Sequence, residues 1–146
     1  MSVLPFPTSL DYSAAIAVRG DAVLVTLAGE LDVAMAPRVE DHLSTAIDLA
    51  GHVVVVDLSL VTFLDSNGLL ALTRARSSAF LSGVALVCAA PSDQVARLLS
   101  LIGGDQVMPT FGSVATAVHR YSRTRPDPEP APKRVLCPVG VAAGHG

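Results

Sequence analysis

The sequence predicts an α/β domain in which helices pack on a central, mostly parallel or mixed β-sheet. Two observations carry this prediction. Of the 146 residues, 51% are hydrophobic and only 16% are charged, and the apolar residues form short runs rather than one long stretch. Helical spacings of apolar residues also alternate with continuous β-branched runs, in the order ββαβαβαβα. We therefore expect a packed core, and neither a disordered nor a membrane-spanning chain.

The first predicted elements are a β-hairpin, a helix and a buried strand. The hairpin consists of Ala15–Val18 and Asp21–Ala28, separated by a turn at Gly20. Pro37–Ala50 has apolar residues every three or four positions and a proline that suits a first helical turn, so a helix is predicted there. The continuous run His52–Leu58 is typical of a strand that is covered on both faces.

The same alternation continues to the end of the predicted domain. The remaining elements are a helix over Asn67–Leu81, a strand over Val84–Ala90, a helix after Ser92, a short strand around Val107–Phe111 and a last helix after Ser113. The predicted sheet therefore has about four to five strands, packed with about four α-helices.

Proline content and charge set the predicted limits of the domain. We expect an N-terminal extension over residues 1–13, a domain over residues 14–121 and a Pro-rich, disordered tail over residues 122–146, which holds five of the ten prolines. Residues 1–121 contain six arginines and eleven acidic residues, a net charge of −5, while the tail has four basic and two acidic residues, a net charge of +2. The acidic domain disfavours direct binding of nucleic acid.

The most informative segment is Asp65-Ser66-Asn67-Gly68, where the chain leaves a buried strand, crosses a loop and starts a helix. The free N–H groups and the positive dipole end of a helix start favour an anion. A phosphate on Ser66 would add about −1.5 to −2 charges at such a place, which makes Ser66 a candidate switch. The alternative interpretation is that Asp65 and Ser66 only cap the helix.

A catalytic serine is disfavoured at this place. A nucleophile elbow needs a glycine two residues before the serine, and Leu64 stands there. None of the four histidines is an obvious general base, so no catalytic residue is predicted.

Glu30 and Asp32, at the end of the predicted hairpin, are a weaker candidate. The two carboxylates could form a metal or acid–base pair, or simply shape a turn. No Gly-rich nucleotide motif and no Cys-x-x-Cys pair is present, so neither a metal site nor a cofactor is predicted. Cys88 lies in an apolar run and is interpreted as a core residue rather than a redox sensor. The two distant cysteines favour a reduced, cytoplasmic environment.

Four segments together resemble one known family. They are Gly29-Glu30-Leu31-Asp32, the strand Val53–Leu58, the run Phe63–Leu69 with its Asp-Ser-Asn-Gly, and Gly83–Cys88. In this order and spacing they resemble the STAS domain of bacterial anti-sigma factor antagonists over nearly all of residues 14–121. The resemblance implies the STAS fold and a non-enzymatic, cytoplasmic regulator of transcription.

The resemblance also implies a partner-switching mechanism. The unmodified antagonist would bind an anti-sigma factor that is also a serine kinase, releasing a sigma factor. Phosphorylation of Ser66 would end this binding, and a phosphatase would reset it. Asp32, Asp65, Ser66, Asn67 and Gly68 would form the partner-binding surface, with no direct contact to nucleic acid or membrane. Asn67 departs from the commonest motif, which has Ser or Thr there. A ligand-binding or signalling module that is switched by a non-kinase signal, including redox, is the alternative.

Overall fold

The structure, a computed structural model, describes residues 12–101 and 108–121 and the backbone of residues 133–135. Predictions that fall on residues 1–11, 102–107, 122–132 and 136–146 lie outside the described residues. The elements in chain order are β1 (Ser13–Arg19), β2 (Ala22–Leu31), α1 (Ala36–Leu49), β3 (Val53–Leu64), α2 (Ser66–Leu81), β4 (Ala85–Ala89), α3 (Asp93–Leu101), β5 (Thr110–Phe111), α4 (Val114–Arg120) and β6 (Lys133–Val135).

The strands of the described residues form one mixed sheet in the order β5-β4-β3-β2-β1-β6. Strands β2 to β5 are parallel to one another, and β1 is antiparallel to β2. The prediction of a mostly parallel or mixed sheet covered by helices is confirmed. Five of these strands lie within residues 13–111, as predicted.

The sixth strand corrects the prediction for part of the tail. Lys133–Val135 pair antiparallel with Ile16–Val18 on the outer edge of β1, so the expectation of disorder is wrong for these three residues. The physical reason is that the edge of a sheet offers unpaired backbone N–H and C=O groups, which a passing segment of almost any sequence can satisfy.

Helices cover the two faces of the sheet unequally. One face carries α1, α2 and α3 over the larger core, which includes Leu43, Leu72 and Leu99. The other face carries the short α4, whose Ala117 packs in a smaller cluster. Successive residues of β3 point into the two cores in turn, which confirms the prediction of a strand that is buried on both faces.

Strand β3 is longer than predicted, and its last residues lie beside the end of β2. Strand β4 pairs only with Val53–Asp57, whereas β3 continues beside β2 as far as Leu64. Two register shifts each add one residue to β3 on the way. Gly29, with φ +97°, lies in β2 between these shifts, where the bulged ladder needs an unusual backbone. The predicted loop after Leu58 is therefore bulged strand, and Gly29-Glu30-Leu31 is strand rather than loop.

No helix in the described part of the chain is long and apolar enough to cross a membrane.

Candidate functional site

The site is built where two parallel strands end side by side. Leu31 at the end of β2 pairs with Leu64 at the end of β3, and each is followed directly by an aspartate. The N–H of Asp65 donates to the carbonyl of Leu31 at 3.3 Å. The structure thus brings the chain around Asp32 and Asp65 together at the carboxyl ends of the strands, where α/β sheets commonly bind ligands and partners.

Asp65 caps helix α2. Its Oδ1 accepts hydrogen bonds from the N–H groups of Asn67 at 2.8 Å and Gly68 at 2.9 Å. A cap of this kind stabilises a helix by about 1 kcal/mol. The capping interpretation is therefore confirmed for Asp65 but not for Ser66, which is the first residue of the helix and is exposed. Because Asp65 caps the helix, the hydroxyl of Ser66 is not needed as a cap.

Gly68 allows α2 to start so close to the sheet. It is buried, and a Cβ atom placed on it would overlap the carbonyl oxygen of Leu31 and stand 2.8 Å from Cδ1 of Leu64. Any side chain here would push the helix start away from the ends of β2 and β3. The glycine of the motif therefore serves close packing rather than a special backbone angle.

Asp32 shapes the turn between β2 and α1. Its Oδ1 accepts from the N–H groups of Ala34 and Met35, both at 3.1 Å. Its carbonyl accepts from the N–H groups of Met35 at 3.0 Å and Ala36 at 2.9 Å. Asp32 is half-buried, whereas Glu30 is exposed. The hydrogen bonds of Asp32 support the turn interpretation of this segment. Among the described residues no group of three or more His, Cys, Asp or Glu could hold a metal ion.

Four exposed apolar side chains lie on the strand, turn and helix segments that meet at the site, and sequence reasoning missed them. We call them the apolar rim: Val33, Leu60, Phe63 and Leu70, which are 63%, 57%, 42% and 44% exposed. Beside Phe63, a groove of about 210 Å³ runs between β3 and α3 and is lined by Leu98 and Leu101 among others. Two apolar doublets in the sequence, Leu60-Val61 and Phe63-Leu64, could have indicated exposed apolar side chains on β3. Neighbouring residues of a regular strand point to opposite faces, so a strand that is covered on one face leaves one member of each doublet exposed.

Charged side chains of both signs lie at this end of the sheet. The carboxylates of Asp32 and Asp65 follow the ends of β2 and β3, beside Ser66, and Arg97 of α3 lines the groove beside Phe63 and Leu64. A phosphoryl group on Ser66 would therefore add negative charge to a region that already carries two carboxylates.

Cys88 plays no part in this site. It is fully buried in β4, and burial raises the pKa of its thiol to about 12. A thiol with that pKa forms almost no thiolate near neutral pH, which confirms the interpretation of Cys88 as a core residue.

The comparison with protein families agrees with this arrangement. A family model described as the STAS domain matches residues 13–117. The chain belongs to the STAS domain family. The match confirms the resemblance that the four sequence segments indicated. No curated protein matches the chain.

Solved structures share the fold. An anti-sigma factor antagonist from Mycobacterium paratuberculosis is 24% identical, with a TM-score of 0.62, and the match covers 81% of this chain and 98% of that one. The anti-sigma factor antagonist SpoIIAA in its unphosphorylated form is 22% identical, with a TM-score of 0.58 and coverage of 70% and 90%. SpoIIAA is also known in a phosphorylated form, from Bacillus.

The same fold occurs outside these regulators. A sulfate transporter family protein from Wolinella succinogenes is 20% identical, with a TM-score of 0.61, and the match covers 70% of this chain and 86% of that one. At such identities the likeness establishes the STAS fold, and the function has to be argued from the site.

Proposed function

We propose that this protein is an anti-sigma factor antagonist: it binds an anti-sigma factor through the end of the sheet that carries Ser66, and phosphorylation of Ser66 ends the binding. The observation that carries the proposal is the exposed hydroxyl of Ser66 on the first turn of α2, in a helix that Asp65 caps. A kinase can modify this hydroxyl without removing a hydrogen bond that the described structure depends on.

The apolar rim supports a protein partner at this end. Exposed apolar side chains that are grouped, rather than scattered, mark surfaces that bind other proteins. Val33 follows Asp32, and Leu70 lies one helical turn after Ser66, so a partner that covers the rim also covers the serine. In this proposal Asp32, Asp65, Asn67 and Gly68 belong to the same contact surface.

Local charge explains how phosphate would act as the switch. In the free protein, water and the positive dipole end of α2 can stabilise the phosphate, while the N–H groups of Asn67 and Gly68 stay bonded to Asp65. In the complex, the phosphate would lose water while it lies near the carboxylates of Asp32 and Asp65, and both effects weaken binding. A hundredfold loss of affinity requires only about 2.7 kcal/mol.

The proposal includes the partners and the place of the reaction. The anti-sigma factor is of the serine kinase type and phosphorylates Ser66 with ATP, a phosphatase removes the phosphate, and the cycle runs in the cytoplasm. The antagonist is non-enzymatic and requires no cofactor.

The experiment compares an aspartate substitution at Ser66 with the same substitution at a second serine of α2. We expect Ser66→Asp to weaken binding of the cognate anti-sigma factor about a hundredfold, as measured by calorimetry. Ser66→Ala retains binding but takes up no phosphate when kinase and ATP are added, as mass spectrometry would show. Ser77→Asp, which adds the same charge to an exposed position of α2 near its other end, is the matched control and leaves the affinity unchanged. Equal binding by wild type and Ser66→Asp would exclude the switch.

A cavity elsewhere favours a second candidate function, a module that binds a small ligand. It has a volume of about 540 Å³, within the usual range for ligand sites, and it is lined by Phe80, Val84 and Tyr121 among others. It shares no lining residue with the Ser66 site, which lies at the other end of α2. Ligand-induced stabilisation that Phe80→Ala removes and Ser66→Ala retains would favour this function.

A further inference from the structure

A buried tyrosine–histidine pair joins helix α1 to the start of strand β1. His42, on α1, is only 4% exposed, and its Nδ1 lies 2.8 Å from the hydroxyl of Tyr12, next to the first residue of β1. The two ring centroids are 5.6 Å apart. The guanidinium of Arg38, one turn before His42, lies 5.8 Å from the centre of the Tyr12 ring. We call Tyr12, Arg38 and His42 the β1–α1 latch.

The second ring nitrogen of His42 makes this latch sensitive to protons. Nε2 is buried and has no hydrogen-bond partner among the described residues. Neutral histidine tolerates this when Nδ1–H donates to the tyrosine oxygen, because Nε2 then holds only an unused lone pair. Protonated histidine has an N–H on both nitrogens, so the N–H at Nε2 would be a buried donor without an acceptor among the described residues, and the added charge would be buried.

The charged groups around the latch do not offset this cost. Burial is the largest effect and lowers the pKa of His42. A backbone hydrogen bond with Arg38 opposes this shift, the guanidinium of Arg38 lowers the pKa further through charge repulsion, and Asp41 raises it least. Strands β1, β2 and β3 contribute apolar side chains to the core beneath α1. On α2, Arg74 lies 3.5 Å from Glu40 and thus pairs with another residue of α1.

Helix α1 connects the latch to the functional end of the molecule. The helix begins at Ala36, and the N–H groups of Met35 and Ala36 donate to the carbonyl of Asp32. The hydrogen bonds that hold the Asp32 turn therefore involve the residues that start the latched helix. If α1 moves away from β1, this turn loses its support.

We propose that the β1–α1 latch is a pH-sensitive device: protonation of His42 separates α1 from Tyr12 and loosens the Asp32 turn. The direction follows from proton linkage. Histidine in an unfolded chain has a pKa of about 6.5, and the folded state lowers the pKa of His42. The closed latch is therefore fully stable above about pH 6.5. Below that pH, the equilibrium constant for closing the latch falls by up to about tenfold for each pH unit, until the pH reaches the pKa of His42 in the folded state.

The chain contains a convenient probe for this proposal. It has two tyrosines and no tryptophan, so in a Tyr121→Phe variant all of the tyrosine fluorescence comes from Tyr12. We expect its tyrosine fluorescence to follow a one-proton titration curve between pH 7.5 and pH 5. The same variant carrying His42→Gln should show no such transition. By NMR, the amides of Met35 and Ala36 should lose at least tenfold protection over this range after correction for intrinsic exchange, while the core strand amides of Val54 and Val56 keep theirs.

Each outcome decides the proposal without reference to any partner protein. An identical pH profile with and without His42 would overturn the pH sensor. A His42-dependent fluorescence transition with unchanged protection at Met35 and Ala36 would overturn the coupling to Asp32. If His42→Gln fails to fold, Tyr12→Phe replaces it: this variant keeps His42 but lacks the hydroxyl, so at pH 7.5 the Met35 and Ala36 amides should already be less protected than in wild type.

Discussion

The two ends of helix α2 both carry glycines and exposed apolar side chains, but they are built differently. At the first end, Gly68 is buried against the carbonyl of Leu31, and Asp65 caps the helix. At the second end, Gly83 has φ +77° and nothing would contact an added Cβ, so it serves only to turn the chain. Phe80, at this end, is 79% exposed and Phe63, at the other, is 42% exposed. Only at the first end, therefore, are the exposed residues carried by backbone that packs closely against other elements.

The largest expected effect distinguishes the two glycines. Gly68→Ala should lower the free energy of unfolding by about 3 kcal/mol, since the new methyl group overlaps backbone that cannot move freely. Gly83→Ala should cost about 1 kcal/mol, because only the left-handed backbone is strained. Gly112→Ala, where an added Cβ meets no atom within 4 Å, is the control with little effect. Urea unfolding followed by circular dichroism measures all three, and equal losses at Gly68 and Gly83 would contradict the close-packing argument.

A smaller effect distinguishes the two phenylalanines. If the apolar rim contacts the anti-sigma factor, Phe63→Ala should weaken that complex about tenfold, or about 1.4 kcal/mol, and Phe80→Ala should leave it unchanged. Titration calorimetry with both variants tests this. A loss for Phe80→Ala alone would place the partner at the opposite end of the molecule.

The smallest effect concerns the two helix caps. Asp65→Ala should lower the free energy of unfolding by about 1 kcal/mol, because the N–H groups of Asn67 and Gly68 lose their acceptor. Ser82, at the other end of α2, caps the helix only through its backbone N–H, so Ser82→Ala should change stability by less than about 0.5 kcal/mol. Thermal unfolding of the two variants at pH 7 gives the comparison, and equal losses would show that the carboxylate of Asp65 is not the cap.

Much of the fold could be predicted because its signals are local. The stripe that contains Val39 and Leu43 marks α1, and the β-branched run from Val53 to Val56 marks a strand that is buried on both faces. The end of β3 could not be predicted in this way. Residues from Ser59 to Leu64 look like a loop because their apolar doublets do not alternate, and they are strand only because β2 pairs with them across two register shifts.

The candidate site was likewise only partly predictable from the sequence. The sequence alone determined that a helix starts near Asp65 and Ser66, because a capping residue before a helical apolar spacing is a local signal. Only the tertiary structure decided that Asp65 rather than Ser66 is the cap, that Gly68 is needed against Leu31, and that Asp32 comes beside this helix start. The latch between Tyr12 and His42 also joins residues thirty positions apart. The physical reason is that capping and amphipathic spacing involve near neighbours in the chain, whereas exposure, close approach and burial depend on which distant segments pack together.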